Sequence, residues 1–290
     1  MITFHLMGYK GLKILQYVND NYHDIIDLIV IGHDYQVCED YSGEIKQLCK
    51  QNNIPHMDNT DISIIDSKYH IAISWKWLIK LTSDKQLIVF HDSLLPKMRG
   101  FNPLVTSLIN GDNIVGVTAL FGADKYDSGR IIDSEFVEIE YPIKIIQAIH
   151  IVSDCYVKLC KRIVEKIATG GEIHSYDQAE DEATYSLWRD EDDYWINWHQ
   201  SSSLISRFVD AVGYPYKGAK TSVDKVIIHI MDVTPVVDKE VINRTPGKVI
   251  FKDGDKPIVV CGRGLLRIDR AIDMEEKQID FNKKFRIRFK

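Results

Sequence analysis

Four apolar runs, ITFHL (2–6), DLIVIG (27–32), HIAISW (70–75) and QLIVFH (86–91), recur through the first third of the chain without the polar alternation of a half-exposed strand. A strand that is apolar on both sides of its pleat has to be covered on both faces, and a parallel sheet flanked by helices provides that cover. Helical stretches alternate with the runs. After ITFHL, Gly8 and Gly11 bracket a turn and Leu12, Leu15 and Val18 follow at near-helical spacing, while EIKQLCKQN (44–52) is a second such stretch. An amphipathic segment over 142–168, with Ile145, Ile149, Val152, Tyr156, Leu159 and Ile163 on one stripe, predicts a helix that closes the layer. The expected architecture is α/β, a mostly parallel sheet with flanking helices.

The texture changes twice further on. Residues 178–198 (QAEDEATYSLWRDEDDYWINW) are acidic and aromatic, and SSLISRFVDAV (202–212) reads as a short helix broken at Gly213. No His or Cys stands among those carboxylates at ligand spacing, so they read as a solvated run and no metal site is expected. Short strands separated by turn residues then follow at 225–233, 247–253, 257–264, 264–272 and 284–290, the pattern of a small β-barrel. The expected domains are 1–175, a connector over 176–213, and a barrel over 214–290.

The 290 residues carry 45% hydrophobic and 27% charged side chains, which excludes a disordered or disulfide-stapled chain. Five cysteines without a C-x-x-C pair read as reduced thiols of a cytosolic protein. MITFHLMGYKGLKIL has no basic segment ahead of an apolar run, and no window has the length of a membrane-spanning helix, so a cytoplasmic chain without membrane contact is expected. The net charge of −6 argues against a nucleic-acid partner, but it conceals an asymmetry. Residues 1–210 hold 19 Lys plus Arg against 31 Asp plus Glu, whereas residues 211–290 hold 17 against 11. A basic barrel is what a nucleic-acid contact needs, and it is also what an edge strand guarded against pairing looks like.

The chemistry is concentrated between Leu87 and Ile132. A strand ends at His91, an irregular loop contains Pro96 and Arg99-Gly100, a helix begins near Asn102-Pro103, and the strand Ile114 to Phe121 leads to Asp127-Ser128-Gly129. Side chains at the carboxyl ends of parallel strands line the usual ligand crevice of such sheets, which brings His91 and Asp127 face to face.

This segment resembles the N10-formyltetrahydrofolate-dependent formyltransferases, most closely the sugar N-formyltransferases, which are related to methionyl-tRNA formyltransferase. Their H-x-S-L-L-P-x-x-R-G loop is matched by His91, Ser93, Leu94, Leu95, Pro96, Arg99 and Gly100. Their N-G-D, G-V-T and D-S-G elements are matched by Asn110-Gly111-Asp112, Gly116-Val117-Thr118 and Asp127-Ser128-Gly129. Several elements in one order make a far more specific signal than a lone motif. The likeness continues weakly through DEATY (181–185), Asn197-Trp198, Arg207 and PYKGA (215–219). It implies a Rossmann-like catalytic domain followed by an OB-like barrel.

The resemblance implies that an amine attacks a formyl carbon carried on N10 of the folate, through a tetrahedral intermediate with negative charge on the former carbonyl oxygen. His91 would stabilise that oxygen or take the amine's proton, and Asp127 would hold the imidazole and balance developing positive charge. The formyl donor would lie against Trp75, Lys76, Trp77, Leu78, Ile79, Phe121, Asp124 and Lys125. The acceptor would approach Gly8, Tyr9, Lys10, Arg99, Gly100 and Phe101, with Lys10 and Arg99 as candidate phosphate contacts. One position departs from the family, whose asparagine two residues before the histidine is Val89 here. Losing one oxyanion donor typically costs about 10²- to 10³-fold in rate. Asn102 or a loop N–H could substitute, His91 could act alone in a slower enzyme, or the chain could have lost the activity; the intact remainder of the motif favours the first two. The expected acceptor is an amino sugar linked to a nucleotide, with methionyl-tRNA and a silent folate- or sugar-binding module as alternatives. A homodimer is compatible with the sequence.

Overall fold

A computed structural model describes residues 1–59, 65–282 and 286–290. Their contacts fall into two units, the first comprising residues 1–104, 113–139 and 147–188 and the second 105–112, 140–146 and 189–290.

The first unit is built on β1 (Ile2–Leu6), α1 (Gly8–Tyr22), β2 (Ile26–Ile31), α2 (Ser42–Gln51), β3 (His56–Asp58), β4 (Tyr69–Ile73) and β5 (Gln86–His91). It continues with β6 (Arg99–Gly100), α3 (Pro103–Asn110), β7 (Ile114–Phe121), β8 (Ile131–Glu138), α4 (Ile145–Ala168) and β9 (Tyr185–Ser186), although α3 from Val105 onward and the first two residues of α4 belong to the second unit. Seven strands form one sheet in the order β3-β2-β1-β4-β5-β7-β8. The first five are mutually parallel and β7 runs antiparallel to both β5 and β8. All five residues of β1 are buried, as its uninterrupted apolar run requires.

Local details depart from the sequence expectation. Gly8 and Gly11 do not bracket a turn, because α1 starts at Gly8 itself, which takes a φ of +69°. Gly11 lets the helix pack closely on β1, since a Cβ there would lie 3.1 Å from the Leu6 Cβ. In α4, Ile149 is only half-buried and Ala148 and Cys155 join the buried stripe. The run at 70–75 ends as a strand at Ile73, because Ser74 takes a φ of +53° and leaves the extended region.

The second unit holds α5 (Ser202–Ala211) and five antiparallel strands: β10 (Ala219–Val223), β11 (Val226–Val236), β12 (Val249–Asp253), β13 (Lys256–Val260) and β14 (Leu265–Ile272). Their order is β10-β11-β14-β13-β12. The final residues complete the barrel: Lys290 exchanges backbone hydrogen bonds with Ser222 at one edge, while Phe289 and Ile287 bond Gly247 and Val249 at the other. The strand expected at 284–290 is represented by this segment, with residues 283–285 lying outside the described residues. The expected connector divides between the units, because Thr184 and Ser186 hydrogen-bond the loop at 96–101 and thereby belong to the first.

Among the described residues no helix is long and apolar enough to cross a membrane. All five cysteines are unbridged, four of them buried.

Candidate functional site

His91 ends β5 and pairs with Thr118, but β7 is antiparallel, against the sequence expectation of two parallel-strand ends. Its own end, Phe121, lies beside Ile88 near the start of β5, and the loop after it folds back to reach His91. The loop after β7 carries Asp127, which takes a φ of +52°. These two loops bring the side chains together, with His91 Nδ1 3.4 Å from Asp127 Oδ1 and both side chains largely buried. The other ring nitrogen, Nε2, donates to the Met98 carbonyl at 2.8 Å, since a carbonyl can only accept. The second carboxylate oxygen of Asp127 accepts the Gly100 N–H at 2.8 Å. The pair is thus fixed at both ends.

The motif residues around this pair build the loops. Thr118 Oγ1 donates to the Ser93 carbonyl at 2.6 Å and accepts the Leu95 N–H at 3.1 Å. Ser93 Oγ donates to Lys97 O at 2.7 Å, which closes the loop on itself. Gly129 admits no side chain, because a Cβ would lie 1.8 Å from the Phe121 carbonyl. Gly100 takes a φ of +101°, and a Cβ there would lie 2.5 Å from Ser186 O. The Asn110-Gly111-Asp112 element ends α3, with Gly111 at a φ of +85°.

Two expected phosphate contacts are engaged elsewhere. Arg99 is 2% exposed, and its guanidinium donates to Gln178 Oε1 and to both carboxylate oxygens of Glu180 at 2.8–3.0 Å. Gln178 in turn donates to the carbonyls of Asp127 and Gly129, each at 2.7 Å. Arg99 therefore clamps the loops that carry His91 and Asp127 through a segment that the sequence presents as a solvated acidic run. Lys10 is also buried and pairs with Asp92. The basic side chains that remain exposed on these loops include Lys97 and Lys125.

The other expected acceptor residues are dispersed around the edge. Tyr9 packs on His150 at 4.3 Å between ring centroids, and half-exposed Phe101 packs on Tyr126 at 5.7 Å. Gly8 has open space where a Cβ would be. Asn102, at a φ of +51°, sits just ahead of α3. Val89 packs against Leu95, Leu120 and Ile131, so an apolar cluster fills the place of the family's asparagine.

Of the expected donor contacts, Trp75 and Trp77 meet edge to face at 5.0 Å and close over Gly32, where a Cβ would lie 2.9 Å from each ring. The indole Nε1 of Trp75 is buried without a hydrogen-bond partner. Lys76 pairs with Asp34, Leu78 is exposed, Ile79 is buried, and Asp124 and Lys125 lie exposed beyond half-buried Phe121. Behind Trp75, His5 Nε2 and His70 Nδ1 share a hydrogen bond at 3.0 Å in the core. Burial, reinforced by His70, pushes His5 down to about 3, and burial also lowers His70. Nothing in the sequence distinguishes these histidines from ordinary strand residues. Asp92, Gln178 and Glu180 were missed likewise, since their partners are remote in the chain.

Comparison with known proteins bears on the family and the fold. Residues 35–143 match the family "Formyl transferase", and residues 189–287 match "Formyl transferase, C-terminal domain". A methionyl-tRNA formyltransferase of Gluconobacter oxydans is 29% identical over 180 residues, covering 62% of this chain; the chain spans 56% of that relative's length. The N-formyltransferase of Helicobacter canadensis, solved with folinic acid and dTDP-3-aminofucose, superposes with a TM-score of 0.70 at 16% identity, covering 92% of this chain and 98% of its own. WlaRD, a sugar 3N-formyl transferase solved with dTDP and 5-N-formyl-THF, gives 0.69 at 17% identity and 98% coverage of both chains. At these identities the two structures establish the shared fold.

Proposed function

We propose that this chain, which belongs to the formyl transferase family, moves a formyl group from N10-formyltetrahydrofolate to the amine of a nucleotide-linked amino sugar. The observation that carries the reading is the buried pair of His91 and Asp127, held by Met98 O and Gly100 N–H at the carboxyl edge of the sheet. The bound folate supplies an activated formyl carbon. Both ring nitrogens are engaged in the resting arrangement, so the Nε2–H would exchange the Met98 carbonyl for the oxygen that gains charge, while Asp127, facing Nδ1, orients the imidazole.

The donor's pterin suits the aromatic walls of Trp75 and Trp77, and the unpartnered Trp75 N–H offers a hydrogen bond to one of its heteroatoms. Phosphates of the acceptor fall to exposed Lys97, since Lys10 and Arg99 are neutralised by Asp92 and Glu180. The sugar acceptor is favoured by the acidic charge of residues 1–210 and by the bound ligands of the Helicobacter canadensis and WlaRD structures.

Methionyl-tRNA is the second reading, supported by the Gluconobacter relative and by the basic character of residues 211–290. Much of that basic charge is matched inside the barrel, where Arg267, Lys256 and Arg270 pair with Asp253, Asp269 and Asp232. Incubation with N10-formyltetrahydrofolate and either dTDP-linked amino sugars or methionyl-tRNA, following tetrahydrofolate release, separates the two. Release with the sugars alone supports the first reading, and release with the tRNA alone replaces it with the second.

A further inference from the structure

We propose that Asp92 is a positioning residue, whose carboxylate, gripped by Lys10 and Tyr156, fixes the end of β5 and so holds the His91 imidazole between Asp127 and the Met98 carbonyl. The proposal rests on the reading of His91 and Asp127 as the formyl-transfer pair.

Successive residues of a strand project to opposite faces, so His91 and Asp92 straddle the end of β5. Lys10 Nζ meets Asp92 Oδ2 at 2.5 Å, and the Tyr156 hydroxyl donates to Oδ1 at 2.7 Å. The Lys10 ammonium also lies 5.3 Å from the centroid of the Tyr156 ring, within range of a cation–π contact. With one anchor on each oxygen, the carboxylate cannot rotate. The anchors come from the first turn of α1 and the middle of α4, so three elements converge on the residue next to His91.

Stability alone gives little reason for such a cluster. Lys10 and Tyr156 are buried, and an ion pair taken out of water forfeits hydration that an apolar trio of similar volume would not lose. What the ion pair adds is orientation, since its geometry is specific where apolar packing is tolerant. Burial, and then the charge of Asp92, push the Tyr156 hydroxyl well upward, so it remains a donor to the carboxylate. The charge of Asp127 contributes to the same shift, which ties the cluster electrostatically to the candidate site across β5.

The test compares full-length wild type, Asp92→Asn and Tyr156→Phe by the ring-nitrogen NMR signals of His91, assigned through their loss in His91→Asn. The same proteins are assayed for kcat and KM with N10-formyltetrahydrofolate and dTDP-3-aminofucose. Asp92→Asn is expected to move the His91 signals and to lower kcat by roughly tenfold or more, with the donor KM changed less than about twofold. Tyr156→Phe, which removes one hydroxyl and leaves the ion pair, is expected to shift the signals in the same direction by less, and it carries the test if Asp92→Asn does not fold. His91 signals that superimpose on wild type in the folded variants would overturn the proposal. A wild type inactive with every acceptor would overturn the functional reading instead, while the NMR comparison would still decide the placement of His91.

Discussion

The Gly100 N–H donates to Asp127 Oδ2 across 2.8 Å, so the loop after β5 and the loop after β7 are joined at the carboxylate that faces His91. Neither loop can move without disturbing the pair. This coupling explains why the motif spends so many residues on architecture.

The clamp beneath that contact can be measured. Replacing Arg99 with Ala leaves Gln178 and Glu180 without their donor, and the buried side chain's packing is lost as well. Urea unfolding should show a loss of roughly 2–3 kcal/mol, within the range for charge-assisted hydrogen bonds to a buried group. Lys at this position should recover only part of it, since one ammonium cannot span both partners.

Gly129→Ala should disable the site through the backbone. The new Cβ would meet the Phe121 carbonyl at 1.8 Å, so the Asp127 loop has to shift. Formyl transfer should fall at least roughly tenfold, and the thermal midpoint should drop, as read by calorimetry.

Acid sensitivity should trace in part to His5. Above about pH 6.5 the imidazole is neutral in both folded and unfolded chains, and its contribution is intact. As the pH falls from there toward about 3, the unfolded chain takes up a proton that the buried His5 refuses, so stability declines through that window. His5→Asn should flatten the decline in urea unfolding measured across this range.

Val89 offers a gain-of-function prediction. Asn at this position places a donor on the His91 face of β5, at the cost of a polar group set against Leu95, Leu120 and Ile131. Val89→Asn should raise kcat by about tenfold, with a loss of roughly 1–2 kcal/mol in unfolding free energy.

The apolar runs at 2–6, 27–32 and 86–91 identified the parallel sheet because strands covered on both faces leave a continuous hydrophobic signature. The pairing of His91 with Asp127 was legible because the motif placed one at the end of a strand and the other in the loop that reaches it. The roles of Lys10 and Arg99 were not. An exposed phosphate ligand and a buried counter-ion are the same residue type, and their partners Asp92 and Glu180 come near only when distant segments meet. The acidic segment at 178–198 looked solvated for the same reason, although Gln178 and Glu180 hold the Arg99 loop. The glycine pair in α1 looked like a turn because close helix–strand packing and a tight turn ask for the same small residue.

The measurement that bears most directly on the central claim is single-turnover formyl transfer from N10-formyltetrahydrofolate to dTDP-3-aminofucose by wild type, His91→Asn and Asp127→Asn. Wild type should release tetrahydrofolate and formylated sugar in equal amounts. Both variants should fold but transfer at least roughly 10²-fold more slowly. Transfer at the wild-type rate by folded His91→Asn would contradict the assignment of this pair as the site of the chemistry.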